Sequence, residues 1–421
     1  MLTRRAFLKS GGLAVLAAAF GGVPSFLSRT ALAATTQSNR RKKVLVAIFQ
    51  RGAMDGLMAV PLFNDPKYEE LRRQLAMSPS KSSDGNSLID LDERFGLHPS
   101  FSSLYNFYKE GRLAIVHGVG SPDPTRSHFD AQDYMETGTP GRKGTASGWL
   151  NRAEGLLGHE AATPFKAVSM TAALPRSLYG NEPALAISDL KDFGLNLNYN
   201  NTMGEGTEEG FEVLYRKTSQ EILKGTGRES FEAVKILKNI NVNNYIPSNG
   251  AAYPNSPLGR NLMQIAQLIK SGVGLEIAFA ETGGWDTHFG EGTYNGTFAR
   301  RAQDLSDSVS AFWTDLGTLQ DDVVLMTMTE FGRTVRENGS GGTDHGRASC
   351  LFVLGNKVDG GKIHGKVESL DPDALEDGRD LPVTTDFRAV FSGVAGTHLN
   401  ISNDHILFPG WNGKRMKLMK G

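Results

Sequence analysis

The chain carries one cysteine, Cys350, in 421 residues. An internal disulfide is therefore excluded, whatever the redox state of the compartment. Cys350 lies inside the apolar run SCLFVL, where a buried, inert thiol is a better reading than a nucleophile. A surplus of charge is also missing: 45 Lys and Arg face 46 Asp and Glu, with no basic stripe, so nucleic acid is not an expected partner. Beyond residue 34 no stretch is long and apolar enough to span a membrane. Internal repeats and long low-complexity linkers are absent. Polar insertions at 78–87, 196–207 and 241–257, rich in Ser, Asn and Gly, read as loops of one domain covering 35–421.

Residues 1–34 read as an address. Arg4-Arg5, then Phe7-Leu8-Lys9, a weakly apolar stretch over 11–27 and the small-residue site Ala31-Leu32-Ala33 form a twin-arginine export signal. A membrane anchor fits less well, because that stretch contains glycines and a proline and falls short of the ~20 residues of a spanning helix. The mature chain is expected to be periplasmic or secreted, with the twin-arginine export machinery as a partner and no stable membrane span. That route exports folded proteins, often with a metal or cofactor on board, and so favours a ligand-bearing site.

Apolar runs bounded by Gly and charge predict buried strands at 43–49, 113–116, 165–170, 184–187, 275–280, 323–329 and 351–354. Helical spacing predicts helices at 66–75, 100–110, 128–137, 149–157, 207–223, 228–240, 258–271 and 296–319. Strands separated by helices imply an α/β fold: a doubly wound, mainly parallel sheet with helices on both faces. In such folds ligands gather beyond the carboxyl ends of the strands.

The polar residues worth naming fall at those places. Asp55 follows the first strand, in RGAMDG, where it is either presented at the sheet edge or satisfies backbone amides of its own loop. Ser127, with Asp130 three residues on, reads as a helix N-cap close to a capping box. A hydroxyl at a helix N-terminus can also serve as a nucleophile in positive potential, and His128 beside it suits ligand or proton duty. Asp286 and His288, two residues apart in GGWDTH, share a side in an extended segment and could reach one metal ion, or could be plain surface groups. Glu330 ends a strand, and Asp344 and His345 follow a Gly-rich loop able to fold over the same edge. Arg333 could hold an anion or simply pair with Glu330. His364 reads as structural or as a late ligand, and the other histidines carry less.

The motifs RGAMDG, TRSHFDAQDYMETG, GGWDTH, MTEFGRT, GTDHG and LFVLG, behind a twin-arginine leader, resemble a bacterial family of exported proteins known as domain-of-unknown-function family 1501. The resemblance covers nearly the whole mature chain. That family is in turn similar to the alkaline phosphatase and sulfatase superfamily, whose doubly wound sheet carries metal ligands on its rim. The resemblance implies Asp55 as the first-strand ligand and Ser127 as nucleophile, with Thr125 as a rival. It implies Asp286 and His288 as a middle pair of ligands, Glu330 at the next turn and His345 as the last histidine. A second alignment makes Asp344-His345-Gly346 that turn and His364 the last ligand. Phe331 stands where the superfamily has a metal-binding histidine, which points to one metal in place of two, or none.

The expected function is hydrolysis of phosphate or sulfate esters, on a small molecule or a polymer, with a divalent cation (Zn, Mn or Ca) held by residues among Asp55, Asp286, His288, Glu330, Asp344 and His345. Ser127, His128 and Arg333, or Arg126, would do the chemistry around it. The alternative is a non-catalytic member of the fold that binds a cell-surface polymer or a protein partner.

Overall fold

The strand β1, Val44–Gln50, is buried along its whole length. A strand with two buried faces needs cover on both. Its side chains alternate accordingly: Val44, Val46 and Ile48 join one core cluster, and Leu45, Ala47 and Phe49 join another. The computed structural model of the protein describes residues 42–80, 86–159, 163–191, 233, 236 and 244–420. The leader expected at 1–34 lies outside the described residues, as do the expected helix at 207–223 and, apart from Ala233 and Ile236, that at 228–240.

After β1 the chain runs through α1 (Ser102–Lys109), β2 (Leu113–Gly120), α2 (His128–Thr137), α3 (Trp149–Gly155), β3 (Ala167–Ser169) and β4 (Leu185–Ala186). It continues with α4 (Pro257–Ser271), β5 (Ile277–Thr282), α5 (Thr297–Leu316), β6 (Val323–Met328), β7 (Ser349–Leu354), β8 (Ile363–Gly365), β9 (Thr385–Asp386) and α6 (Phe387–His398). These strands form one nine-stranded sheet in the order β8-β2-β7-β6-β1-β5-β3-β4, with β9 beside β2. Every pairing is parallel except those of β7, which runs against both β2 and β6. Helices α1, α4 and α5 cover one face and α2, α3 and α6 the other, the three layers of a doubly wound fold.

The orientation of β7 decides where the site can form. All the parallel strands end on one rim, and an antiparallel strand begins there. A residue just before β7 therefore meets residues just after β1, β2, β5 and β6. Strand order also reverses around β1, flanked by β5 and β6, so that rim holds the crevice of the sheet.

The expected helix at 66–75 contracts to Tyr68–Leu71. It ends where Arg72 leaves helical geometry (φ −123°, ψ 43°) and turns its guanidinium inward to Asp55, an ion pair at 2.5 Å with both side chains buried. The expected helix at 296–319 closes as a 3-10 turn over Gly317–Asp322, and β2 extends four residues beyond the expected strand. No helical spacing in the sequence predicts α6. It is buried on most of its surface, and a helix without a polar face lacks the usual periodic mark.

On α5, Phe298, Leu305, Phe312 and Trp313 anchor the larger core cluster, and Trp313 also meets the Phe107 ring at 6.5 Å. Trp313→Ala is expected to cost about 3–5 kcal/mol of stability, read as a lowered urea midpoint.

Candidate metal centre

Three imidazoles and one carboxylate meet above this rim. His128 opens α2 after β2, Asp286 and His288 follow β5, and His345 precedes β7. The Nε2 atoms of His128 and His345 lie 3.0 Å apart, and those of His288 and His345 also 3.0 Å apart. Asp286 Oδ1 is 3.1 Å from His288 Nε2 and 3.2 Å from His345 Nε2, and Oδ2 is 3.4 Å from His128 Nε2. The four side chains are 23–43% exposed, so the centre is open to solvent.

The outer ring nitrogens fix what these Nε2 atoms are. His128 Nδ1 donates to Glu330 Oε1 at 2.8 Å, His288 Nδ1 to Asp344 Oδ1 at 3.0 Å, and His345 Nδ1 to the Arg126 carbonyl at 2.9 Å. A carbonyl and two ionised carboxylates can only accept, so each Nδ1 carries a proton, and a ring that holds no second proton offers its Nε2 lone pair to the centre. Lone pairs facing one another at 3.0 Å repel. Protons on His128 and His288, one proton on His345 Nε2 between its two neighbours, or a cation at the centre each relieve both contacts.

The spacing suits such a cation. Ligands at ~2.0–2.1 Å in a tetrahedron lie about 3.3 Å from one another, which the His128–His345 contact at 3.0 Å and the His345–Asp286 contact at 3.2 Å match, while His288 reaches His345 and Asp286 from one side, at 3.0 and 3.1 Å. Ligand histidines usually give their second N–H to a carboxylate or carbonyl, as all three do here. Within this group His128, Asp286 and His345 bring one ligand atom each within 4.8 Å of one another.

The surroundings tune the cluster. The hydrogen bond to Glu330 holds the His128 imidazolium up in pKa, while burial, joined by His128 and Arg333, pushes His345 down. Burial would raise Asp286, Glu330 and Asp344, but all three end below the usual range, through Arg333, through His128 and Gln132, and through His288 respectively. Glu330 is fully buried and accepts also from the Gly52 amide at 2.8 Å and from Gln132 at 2.9 Å. Phe331 forms a wall, its ring 5.0 Å from those of His128 and His345.

The structure thus sorts the residues named from the sequence. Asp286, His288 and His345 meet, and His128, first grouped with Ser127 and Arg333, stands among the candidate ligands. Glu330 and Asp344 do not point at the centre; they stand behind His128 and His288 and orient them. Asp55 stands apart, because its carboxylate takes the Arg72 guanidinium and the Leu57 and Met58 amides (2.9 and 3.1 Å). Arg333 pairs with Asp286 at 2.6 Å, not with Glu330, and its buried guanidinium also bonds Thr343. Ser127 holds the N-cap position of α2 but its side chain makes no capping bond, and Asp130 pairs with Lys143 at 2.8 Å instead of completing a capping box. Arg126 is engaged with Asp380, and His364 Nε2 donates to the Asp359 carbonyl at 2.7 Å. Cys350 is buried, its thiol pushed up by desolvation, as an inert thiol should be. Sequence reasoning had no signal for the Arg126 carbonyl, since every residue has one.

A protein with this rim and this donor set belongs to the doubly wound α/β class with a metal-capable centre at the strand ends. By family, it is a member of "Protein of unknown function (DUF1501)", whose model matches residues 42–407. No curated protein matches it. Among solved structures it is similar to the lipoteichoic acid synthase LtaP from Listeria monocytogenes, at 9% identity over 87% of this chain and 76% of that one, TM-score 0.36. It is also similar to the PsFucS1 sulfatase from Pseudoalteromonas sp., at 10% identity over 92% of this chain and 74% of that one, TM-score 0.36. Among the described residues no helix is long and apolar enough to cross a membrane.

Behind the centre, Glu291 is buried next to Asp55 and accepts from Thr343 at 3.0 Å; burial and then Asp55 raise its pKa to about 8. The folded state therefore binds a proton that the unfolded state, near 4.5, has lost. The resulting stabilisation is full below about 4.5, declines with rising pH and is gone above about 8. Glu291→Gln is expected to flatten the fall of stability between those values, measured by urea unfolding of metal-free protein. Arg72→Ala, which strands a buried Asp55 charge, should cost about 3–5 kcal/mol in the same assay.

Proposed function

We propose that the protein is an exported, metal-dependent hydrolase of phosphate or sulfate esters, with His128, Asp286, His288 and His345 as the ligands of a single divalent cation. The observation that carries this reading is the set of three Nδ1–H groups given to fixed acceptors, which turns three Nε2 lone pairs towards Asp286. Three imidazoles and a carboxylate favour Zn, with Mn next; Ca prefers an all-oxygen shell. A divalent ion bound there supplies Lewis acidity and water activated near neutral pH.

The chain's own groups then divide the work. Arg333 holds Asp286 in place and offsets its charge. Glu330 and Asp344 keep the ring protons on Nδ1, so that the inner nitrogens stay free to bind. Phe331 excludes water from one side of the cluster. Ser127, exposed at the N-terminus of α2 and without a capping bond, offers a free hydroxyl beside His128 for attack on the ester. Residues 1–34 would carry the folded protein through the twin-arginine machinery to the periplasm or beyond.

A second reading, a non-catalytic binder of a surface polymer or protein, draws support from Arg333. Its guanidinium is spent on Asp286 and Thr343, where an ester hydrolase would use a free cation on the substrate's anionic oxygens. The two readings part on turnover.

Protein purified through its native export route is expected to contain about one Zn or Mn per chain by elemental analysis, and a metal-free protein overturns the proposal. His345→Ala and Asp286→Ala should abolish binding, and Glu330→Gln should weaken it about 10–100-fold. Ser127→Ala should keep the metal and lose turnover of 4-nitrophenyl phosphate and 4-nitrophenyl sulfate. Metal without turnover of any ester selects the binder.

A further inference from the structure

Of the three histidines at the centre, His288 has the least support from its own segment. His128 opens α2, and His345 is bridged to Arg333 beside β7; His288 lies in the loop between β5 and α5, with neither helix nor strand to hold it. What holds it is a second loop. Residues 338–343, in the Gly-rich turn before β7, lie along 287–291: the Thr343 amide donates to the Thr287 carbonyl at 3.1 Å, and the Gly290 and Glu291 amides donate to the Ser340 and Gly341 carbonyls at 3.1 and 2.8 Å. The approach demands glycine, since a Cβ on Gly342 would come within 2.2 Å of the Thr287 oxygen.

Asn338 closes this clamp with one side chain. Its Oδ1 accepts from the Ser340 and Gly342 amides at 2.8 and 3.2 Å, and its Nδ2 donates to the His288 carbonyl at 2.9 Å and to Asp344 Oδ1 at 3.3 Å. Backbone amides can only donate, and a carbonyl and an ionised carboxylate can only accept, so the partners fix which end of the Asn338 amide is oxygen. Both lone pairs and both protons of the side chain are engaged, a set that neither Asp nor Ser at this position can supply. Asp344 Oδ1 is also the atom that takes the His288 Nδ1 proton, at 3.0 Å. Asn338 therefore holds His288 twice: by its backbone directly, and by its ring through Asp344.

We propose that Asn338 is a positioning residue of the centre: it seats His288 as the fourth ligand by fixing both the His288 carbonyl and the carboxylate behind the His288 ring. The proposal rests on the reading of the cluster as a metal centre, and it deepens that reading. His128, Asp286 and His345 bring their ligand atoms within 4.8 Å of one another without His288. The rim of the sheet thus supplies three ligands, and the Asn338 loop decides whether a cation is held by three side chains or by four. Asn338→Asp is the most telling change, because it keeps the shape while a carboxylate oxygen replaces Nδ2 and faces a carbonyl and a second carboxylate, both of which repel it.

The test is a double-mutant cycle on the full chain, with Zn affinity read by competition against a chromophoric chelator. Asn338→Asp is expected to weaken Zn about tenfold or more in the wild-type background, within the range for groups that orient ligands. In a His288→Ala background the same change should alter affinity by less than about twofold, as for uncoupled sites. A loop that only supports the fold weakens both backgrounds alike, and that outcome overturns the proposal, as does an Asn338→Asp chain that binds Zn as tightly as wild type. Asn338→Ala, which removes the bonds without adding charge, should show the same dependence on His288 and replaces the aspartate variant if that chain fails to fold. A second readout needs no metal. In the 15N-labelled metal-free chain the His288 Nδ1–H resonance should be lost in both Asn338 variants while those of His128 and His345 persist; its retention in both variants overturns the proposal. A wild-type chain that binds no Zn, yet whose variants lose that resonance, loses the metal reading and keeps Asn338 as the residue that positions His288.

Discussion

His345 Nε2 meets the Nε2 atoms of both His128 and His288 at 3.0 Å, and a positive charge, a proton or a cation, is what relieves those contacts. That constraint organises the candidate site. It is imposed from outside the cluster, by Glu330, Asp344 and the Arg126 carbonyl, which take the outer ring protons and leave the inner nitrogens bare. Asp286 adds a carboxylate whose two oxygens face the three rings, and buried Arg333 holds it in place.

The fold serves that constraint through one antiparallel strand. His128, Asp286, His288 and Glu330 follow parallel strands and so reach the rim by the common rule for such sheets. His345 precedes its strand and reaches the same rim only because β7 is reversed between β2 and β6. Beneath the rim, the buried Asp55–Arg72 pair and Glu291 tie the first strand's loop to the loop that carries Thr343 and His345. The site therefore stands on a polar support that is itself sealed from solvent.

Several features were legible in the residues alone. The runs of Val44–Gln50 and Val323–Met328 are apolar on both faces, which marks strands covered on both sides, and α2 was placed over the bounds it has, His128–Thr137. Asp286, His288 and His345 stood out because carboxylate and imidazole fell just outside buried strands. The roles of Asp55, Ser127 and Arg333 were not legible. Each depends on a partner distant in sequence or on a bond left unmade: Arg72 for Asp55, Asp286 for Arg333, and the absent cap of Ser127. Helix α6 escaped because burial on nearly all sides erases the alternation by which helices are recognised.

The sequence by itself determined the layered α/β plan, since local apolar patterning dictates which segments must be buried and on how many faces. It also determined which side chains could take part in chemistry at the rim. Only the tertiary structure decided which of the carboxylates face the centre and which stand behind it. That choice rests on contacts between groups far apart in the chain, such as His128 and Glu330, separated by 202 residues, and no local pattern encodes a distance of that kind.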